Sequence, residues 1–94
     1  MASPSNRIIV TVIGADRVGI IAGVTAVLAD ANANIVDISQ TTLREFFTMI
    51  LMADLAQATM PFDELKRRLV AKGEQMGVKV DAQHEDVFKY MHRV

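Results

Sequence analysis

Cysteine is absent from this 94-residue chain, which excludes disulfides, thiol nucleophiles and cysteine-based metal sites. A cysteine-free chain suits a reducing compartment, and we read the protein as cytoplasmic. Tryptophan is also missing, and four Phe and one Tyr are the only aromatics, so any core must be aliphatic. Charge of one sign is lacking as well. Ten basic residues stand against eleven acidic ones for a net charge of −1, and no basic block occurs anywhere, which excludes the clustered Lys and Arg that non-specific nucleic-acid binding needs. No apolar run approaches the ~20 residues of a membrane span. Residues 1–6 (MASPSN) are too short and polar for a signal peptide and read as a disordered N-terminus before one domain over residues 7–94.

Apolar residues, by contrast, are plentiful. They make up 51% of the chain and its mean hydropathy is +0.26, yet a chain this short buries only about 60–65% of its unfolded surface. The surplus points to burial against another chain.

Residues 7–32 (RIIVTVIGADRVGIIAGVTAVLADAN) organise the rest. A β-branched run over 8–13 stops at Gly14, passes through Asp16, Arg17, Val18 and Gly19, and restarts with helical spacing from Ile20. That predicts a strand, a tight loop and a helix N-terminus, whose unpaired amides and dipole attract a carboxylate or phosphate. Asp16 has the type and position of an N-cap. Gly19 removes bulk where a ligand would approach the backbone, and Arg17 adds positive charge. The same residues also fit a plain structural role, with Asp16 capping, Gly19 turning and Arg17 solvated.

The first strand is apolar on both faces, as a central strand covered on both sides would be. The helix after it carries Ile20, Val24, Val27, Leu28 and Ala31 on one stripe and small residues elsewhere, so its second flank meets either a partner chain or tightly packed neighbours of its own domain. Asn32 suits the left-handed position after a helix. Residues 34–42 alternate, with Val36 and Ile38 on one side and Asp37, Ser39 and Thr41 on the other, which predicts an edge strand. Leu43-Arg44-Glu45 reads as a short connection. Residues 46–55 form a second two-faced strand, and Pro61 opens a helix with Phe62, Leu65, Leu69 and Met76 inward, ending at Gly77. Residues 78–85 alternate again, and Asp86 would cap a short C-terminal helix over 84–94 with Val87, Phe88 and Met91 on its apolar side. The order β-α-β-β-α-β with right-handed crossovers predicts an α+β, ferredoxin-like fold: a four-stranded antiparallel sheet in order 4-1-3-2 with two helices on one face. The other face needs the C-terminal helix, a partner chain or both as cover.

Catalysis is poorly provisioned. His84 and His92 are the only histidines, no nucleophile sits in a recognisable setting, and neither a P-loop nor a GxGxxG is present. His84-Glu85-Asp86 superficially suggests a metal, but no ligand spacing recurs, so we expect no metal and no cofactor.

The loop Gly14-Ala15-Asp16-Arg17-Val18-Gly19-Ile20, followed by Asn34-Ile35-Val36-Asp37-Ile38-Ser39-Gln40, resembles the ACT domain, an amino-acid-sensing module, over about residues 7–83. The end, residues 84–93, is similar to the short stand-alone ACT proteins of bacteria and archaea. Val18 and Asn32 depart from the Pro and Gly that many ACT domains carry. The resemblance implies a non-catalytic regulatory homodimer that binds an amino acid or similar small metabolite between chains. The site would use Asp16, Arg17, Val18, Gly19 and Ile20 of one subunit and Asn34 and Ile35 of its neighbour. Helix amides would take the ligand carboxylate, and Asp16, if it does not cap, the ammonium. Its signal would pass to an enzyme or transcription regulator. The alternatives are a protein-interaction module without a small-molecule ligand and a small enzyme using His84, His92 or Asp16.

Overall fold

Six elements appear in the expected order: β1 (Arg7–Ala15), α1 (Ile20–Asp30), β2 (Asn34–Leu43), β3 (Phe46–Asp54), α2 (Phe62–Met76) and β4 (Lys79–His84). The computed structural model describes residues 6–15 and 18–87. Asp16, Arg17, the N-terminal residues 1–5 and residues 88–94, which include Phe88, Met91 and His92, lie outside the described residues. The sheet runs β2-β3-β1-β4 with every neighbouring pair antiparallel. This is the predicted 4-1-3-2 order read from the opposite edge.

Strand alternation decides where the core lies. Ile8, Val10 and Val12 of β1 and Met49, Leu51 and Ala53 of β3 are fully buried, and they pack with Ile20, Val24 and Leu28 of α1 and Leu65 and Leu69 of α2. Successive strand residues point to opposite faces, so all these strand residues share the face that the helices cover. The expectation that both central strands are covered on both sides holds only for that face. Ile13 and Ile50, on the other face, remain exposed.

Both helices end in the same way. Asn32, at φ 56°, and Gly77, at φ 77°, take the left-handed conformation. After α1, Ala33 N–H donates to Leu28 C=O (2.9 Å) and Asn32 N–H to Ala29 C=O (3.0 Å). After α2, Val78 N–H donates to Gly73 C=O (2.9 Å) and Gly77 N–H to Glu74 C=O (3.2 Å). Each set is the paired 6→1 and 5→2 bonding that satisfies the last carbonyls of a helix. Asn32 gains an extra restraint because its side-chain amide donates to Gln57 C=O at 2.9 Å.

Several local expectations change. β1 does not stop at Ile13; Gly14 and Ala15 continue it by pairing with Phe47 and Phe46. The N-cap of α1 is Gly19, with no side-chain cap bond, and not Asp16. Leu43 belongs to β2, so the connection is the two residues Arg44-Glu45, with Arg44 at φ 56°, because a two-residue hairpin needs a positive φ to follow the strand twist. A bulge between Ile35 and Asp37 leaves Val36 out of the β2–β3 ladder. Val36 therefore does not alternate with Ile38, which faces Leu51 on the helix side. Residues 85–87 are already helical, so Asp86 lies inside that turn and does not cap it.

Candidate functional site

The described end of the β1–α1 loop, Val18 and Gly19, is exposed. Val18 is fully exposed, and Gly19 sits at φ 93° with nothing within 4 Å of where a Cβ would stand. A side chain at that φ is strained whatever the space. The first intrahelical bond runs from Gly23 N–H to Gly19 C=O at 2.8 Å, so the amides before Gly23 have no partner within the helix. Ile20 turns its side chain into the core at 2% exposed. Only its backbone can serve a ligand.

Asn34 and Ile35 open β2 and are exposed. Asn34 lies opposite Asp54, whereas β1 enters the loop opposite Phe46, at the other end of β3. Eight steps of a strand at ~3.3 Å separate these rows by roughly 26 Å. α1 runs from Ile20 to Asp30 and covers about 15 Å at 1.5 Å per residue. Within one chain the structure thus brings Val18, Gly19 and Ile20 together and leaves Asn34 and Ile35 at the far end. Within one chain these two groups do not meet.

Two of the C-terminal candidates, His84 and Glu85, contact other parts of the chain. The His84 ring stands 4.3 Å from the Phe62 ring centroid. Glu85 is 5% exposed and accepts two bonds from Arg7, from Nη2 at 2.7 Å and Nε at 3.0 Å. That bidentate geometry is a structural clamp between the start of β1 and the end of β4. Sequence reasoning missed it, since nothing local relates residues 78 positions apart. Among the described residues no group of three or more His, Asp or Glu could hold a metal. No helix among them is long and apolar enough to cross a membrane.

A ferredoxin-like sheet with helices on one face is a class of fold that many functions share, and comparison with known proteins gives the family. A family model described as "ACT domain" matches residues 6–83. The UPF0237 protein of Methanocaldococcus jannaschii is 53% identical over 89 residues, covering 95% of this chain and 99% of that protein. The UPF0237 protein of Listeria innocua is 50% identical over 88 residues, covering 94% and 99%. Among solved structures, an ACT domain protein from Streptococcus pneumoniae superimposes with a TM-score of 0.76 at 37% identity, covering 88% of this chain and 93% of that one. The regulatory subunit of aspartate kinase from Thermus thermophilus shares the fold alone, at a TM-score of 0.66 and 18% identity over 85% of this chain and 52% of that one. The chain belongs to the ACT domain family, alongside short UPF0237 proteins of archaea and bacteria.

Proposed function

We propose that this protein is a non-catalytic regulator that binds an amino acid or similar small metabolite at a homodimer interface. The loop of one subunit and the start of β2 of its neighbour form the site. The observation that carries this reading is the separation of the two halves within one chain: Gly19 and Asn34 are both exposed and stand at opposite ends of one sheet. A second copy supplies the missing half. β2 is an edge strand exposed at every residue from Asn34 to Leu43, with unpaired backbone groups along its free side. Antiparallel pairing of two such edges sets the Asn34 end of one beside the Leu43 end of the other, and the β1–α1 loop lies at that end.

Magnitudes support the need for two chains. A helix terminus contributes only about 0.3–1 kcal/mol to an exposed anion, whereas micromolar affinity requires about 8 kcal/mol. The amides ahead of Gly23 would take the ligand carboxylate, and the Asn34 side chain would add a hydrogen bond from across the interface. Asp16 and Arg17 carry the charges for the remaining contacts in this proposal.

The test is a thermal-unfolding screen against the twenty amino acids at millimolar concentration. A ligand at 100 times its Kd adds about 2.7 kcal/mol, which raises Tm by roughly ten degrees or more for a domain this size. We expect a selective shift that Asn34→Ala abolishes. A flat response would instead support the interaction module, in which the fold serves only to dimerise and dock.

A further inference from the structure

The two edges of the sheet differ in kind. β2 offers ten residues, exposes Ile35, Val36, Ile38 and Leu43, and carries Asp37 as its one charge. β4 offers only six residues, of which Lys79 and Asp81 are charged. An edge strand presents a row of unpaired N–H and C=O groups that templates another strand, and short strands and charged side chains, lysine above all, blunt such an edge. β4 has both marks, whereas β2 is long and has a single carboxylate.

An ion pair adds to the difference. Asp81 stands between Val80 and Ala82, which are buried under the helices, so alternation puts Asp81 on the uncovered face. Lys66 belongs to α2, on the opposite face. Its Nζ nevertheless lies 3.5 Å from Asp81 Oδ1, with both side chains partly buried. The sheet separates the two faces, and β4 is its last strand on that side. The bridge therefore passes around the outside of β4. Tight packing makes this reach possible. A Cβ at Gly73 would stand 2.6 Å from Val80 Cγ2, so α2 lies directly on β4, and Lys66 follows the buried Leu65 on that helix.

We propose that Lys66 and Asp81 guard the free edge of β4, shutting it to any further strand and leaving β2 as the edge open to a second copy. An incoming strand would lie about 4.8 Å from β4, in the space that the lysine stem and the carboxylate fill. To pair there it must break the bridge and hold both charges partly out of water without their partner. As an exposed pair the bridge adds little to stability; its effect is on what can approach. The consequence for assembly is directional. Pairing of β2 with β2 is isologous and closes as a dimer, whereas β2 on β4 is head-to-tail and, where the rotation does not close, runs on as a filament. β4 on β4 would string dimers end to end. The guard blocks both. The closed dimer rests on the pairing in the preceding section, but the guard does not, so a flat amino-acid screen leaves it standing.

The experiment is sedimentation velocity of the intact chain over a range of concentrations, beside a double variant that combines Lys66→Ala with Asp81→Thr. Threonine suits a strand, and both positions lie outside the core, so circular dichroism should remain native. The wild type should stop at one assembled mass. The double variant should grow with concentration to about twice that mass or more, and hydrogen exchange should then show new protection over residues 79–84. Glu64→Ala removes an ion pair of the same kind, to Arg68 at 2.7 Å, that stays on α2, and it should leave the mass unchanged. Constant mass in the double variant, or open-ended growth of the wild type, overturns the proposal. Growth without protection of residues 79–84 overturns it as well, because the new contact then lies elsewhere. Growth of Glu64→Ala does the same, because loss of any surface charge would then suffice.

Discussion

Gly73 shows how a single residue can be read wrongly from helix propensity. A glycine inside a helix costs about 1 kcal/mol relative to alanine, so replacement by Ala should stabilise α2. Yet a Cβ at Gly73 would stand 2.6 Å from Val80 Cγ2 and 2.9 Å from the Val78 carbonyl oxygen. The carbonyl is backbone and has little room to yield. Overpacking of this kind costs typically 1–3 kcal/mol, so Gly73→Ala should lower stability by about 1 kcal/mol net in a urea melt. Gly23 supplies the contrast. There a Cβ meets Met76 Sδ at 2.6 Å and Lys72 Cε at 3.4 Å, both toward the far ends of flexible side chains. Gly23→Ala should therefore leave Cm nearly unchanged, the propensity gain offsetting the displacement of Met76. If both substitutions stabilise equally, the close approach of α2 to β4 is not what holds Gly73 in place.

At the level of elements, periodicity was the legible part. Alternating and two-faced patterns placed β1 and β3 at the centre and β2 and β4 at the edges, because burial imposes a period of two along every strand. What could not be read depends on partners distant in sequence or on dihedral angles. The bulge at Val36 arises only when β2 is laid on β3, and Arg44 at φ 56° is not a residue that advertises a turn. The loop at Gly19 was legible as a junction from its glycine, but the cap there is Gly19 and no carboxylate. The Arg7–Glu85 clamp was equally hidden, and it ties β1 to β4 where the latter ends. Arg7 is partly exposed while the Glu85 side chain is only 6% exposed, so the attraction is screened on one side. Arg7→Met should destabilise by about 1–3 kcal/mol, below the 3–5 kcal/mol of a fully buried pair. Denaturant melts at low and high salt check this: a loss that vanishes in salt would place the pair among ordinary surface ion pairs.

For the whole molecule, what matters is whether the two halves of the proposed site belong to different chains. Gly19→Leu alters the loop, where the chain itself leaves open space, although the φ of 93° adds backbone strain. Asn34→Ala alters the start of β2, which is exposed. In a homodimer of either variant both sites are damaged, so neither should respond to the amino acid that shifts the wild type. A heterodimer of the two carries one site with both substitutions and one with neither. Unfolding the variants together and refolding them should make about half the dimers mixed, and isologous symmetry then restores about a quarter of the wild-type sites. Calorimetric titration of the refolded mixture measures that fraction directly, and each variant refolded alone serves as the control. Recovery near a quarter requires residues 19 and 34 to act across the interface. Zero recovery, with both variants folded and dimeric, would mean that loop and strand do not share a site between chains, and the two-chain reading would then fail even if a ligand binds.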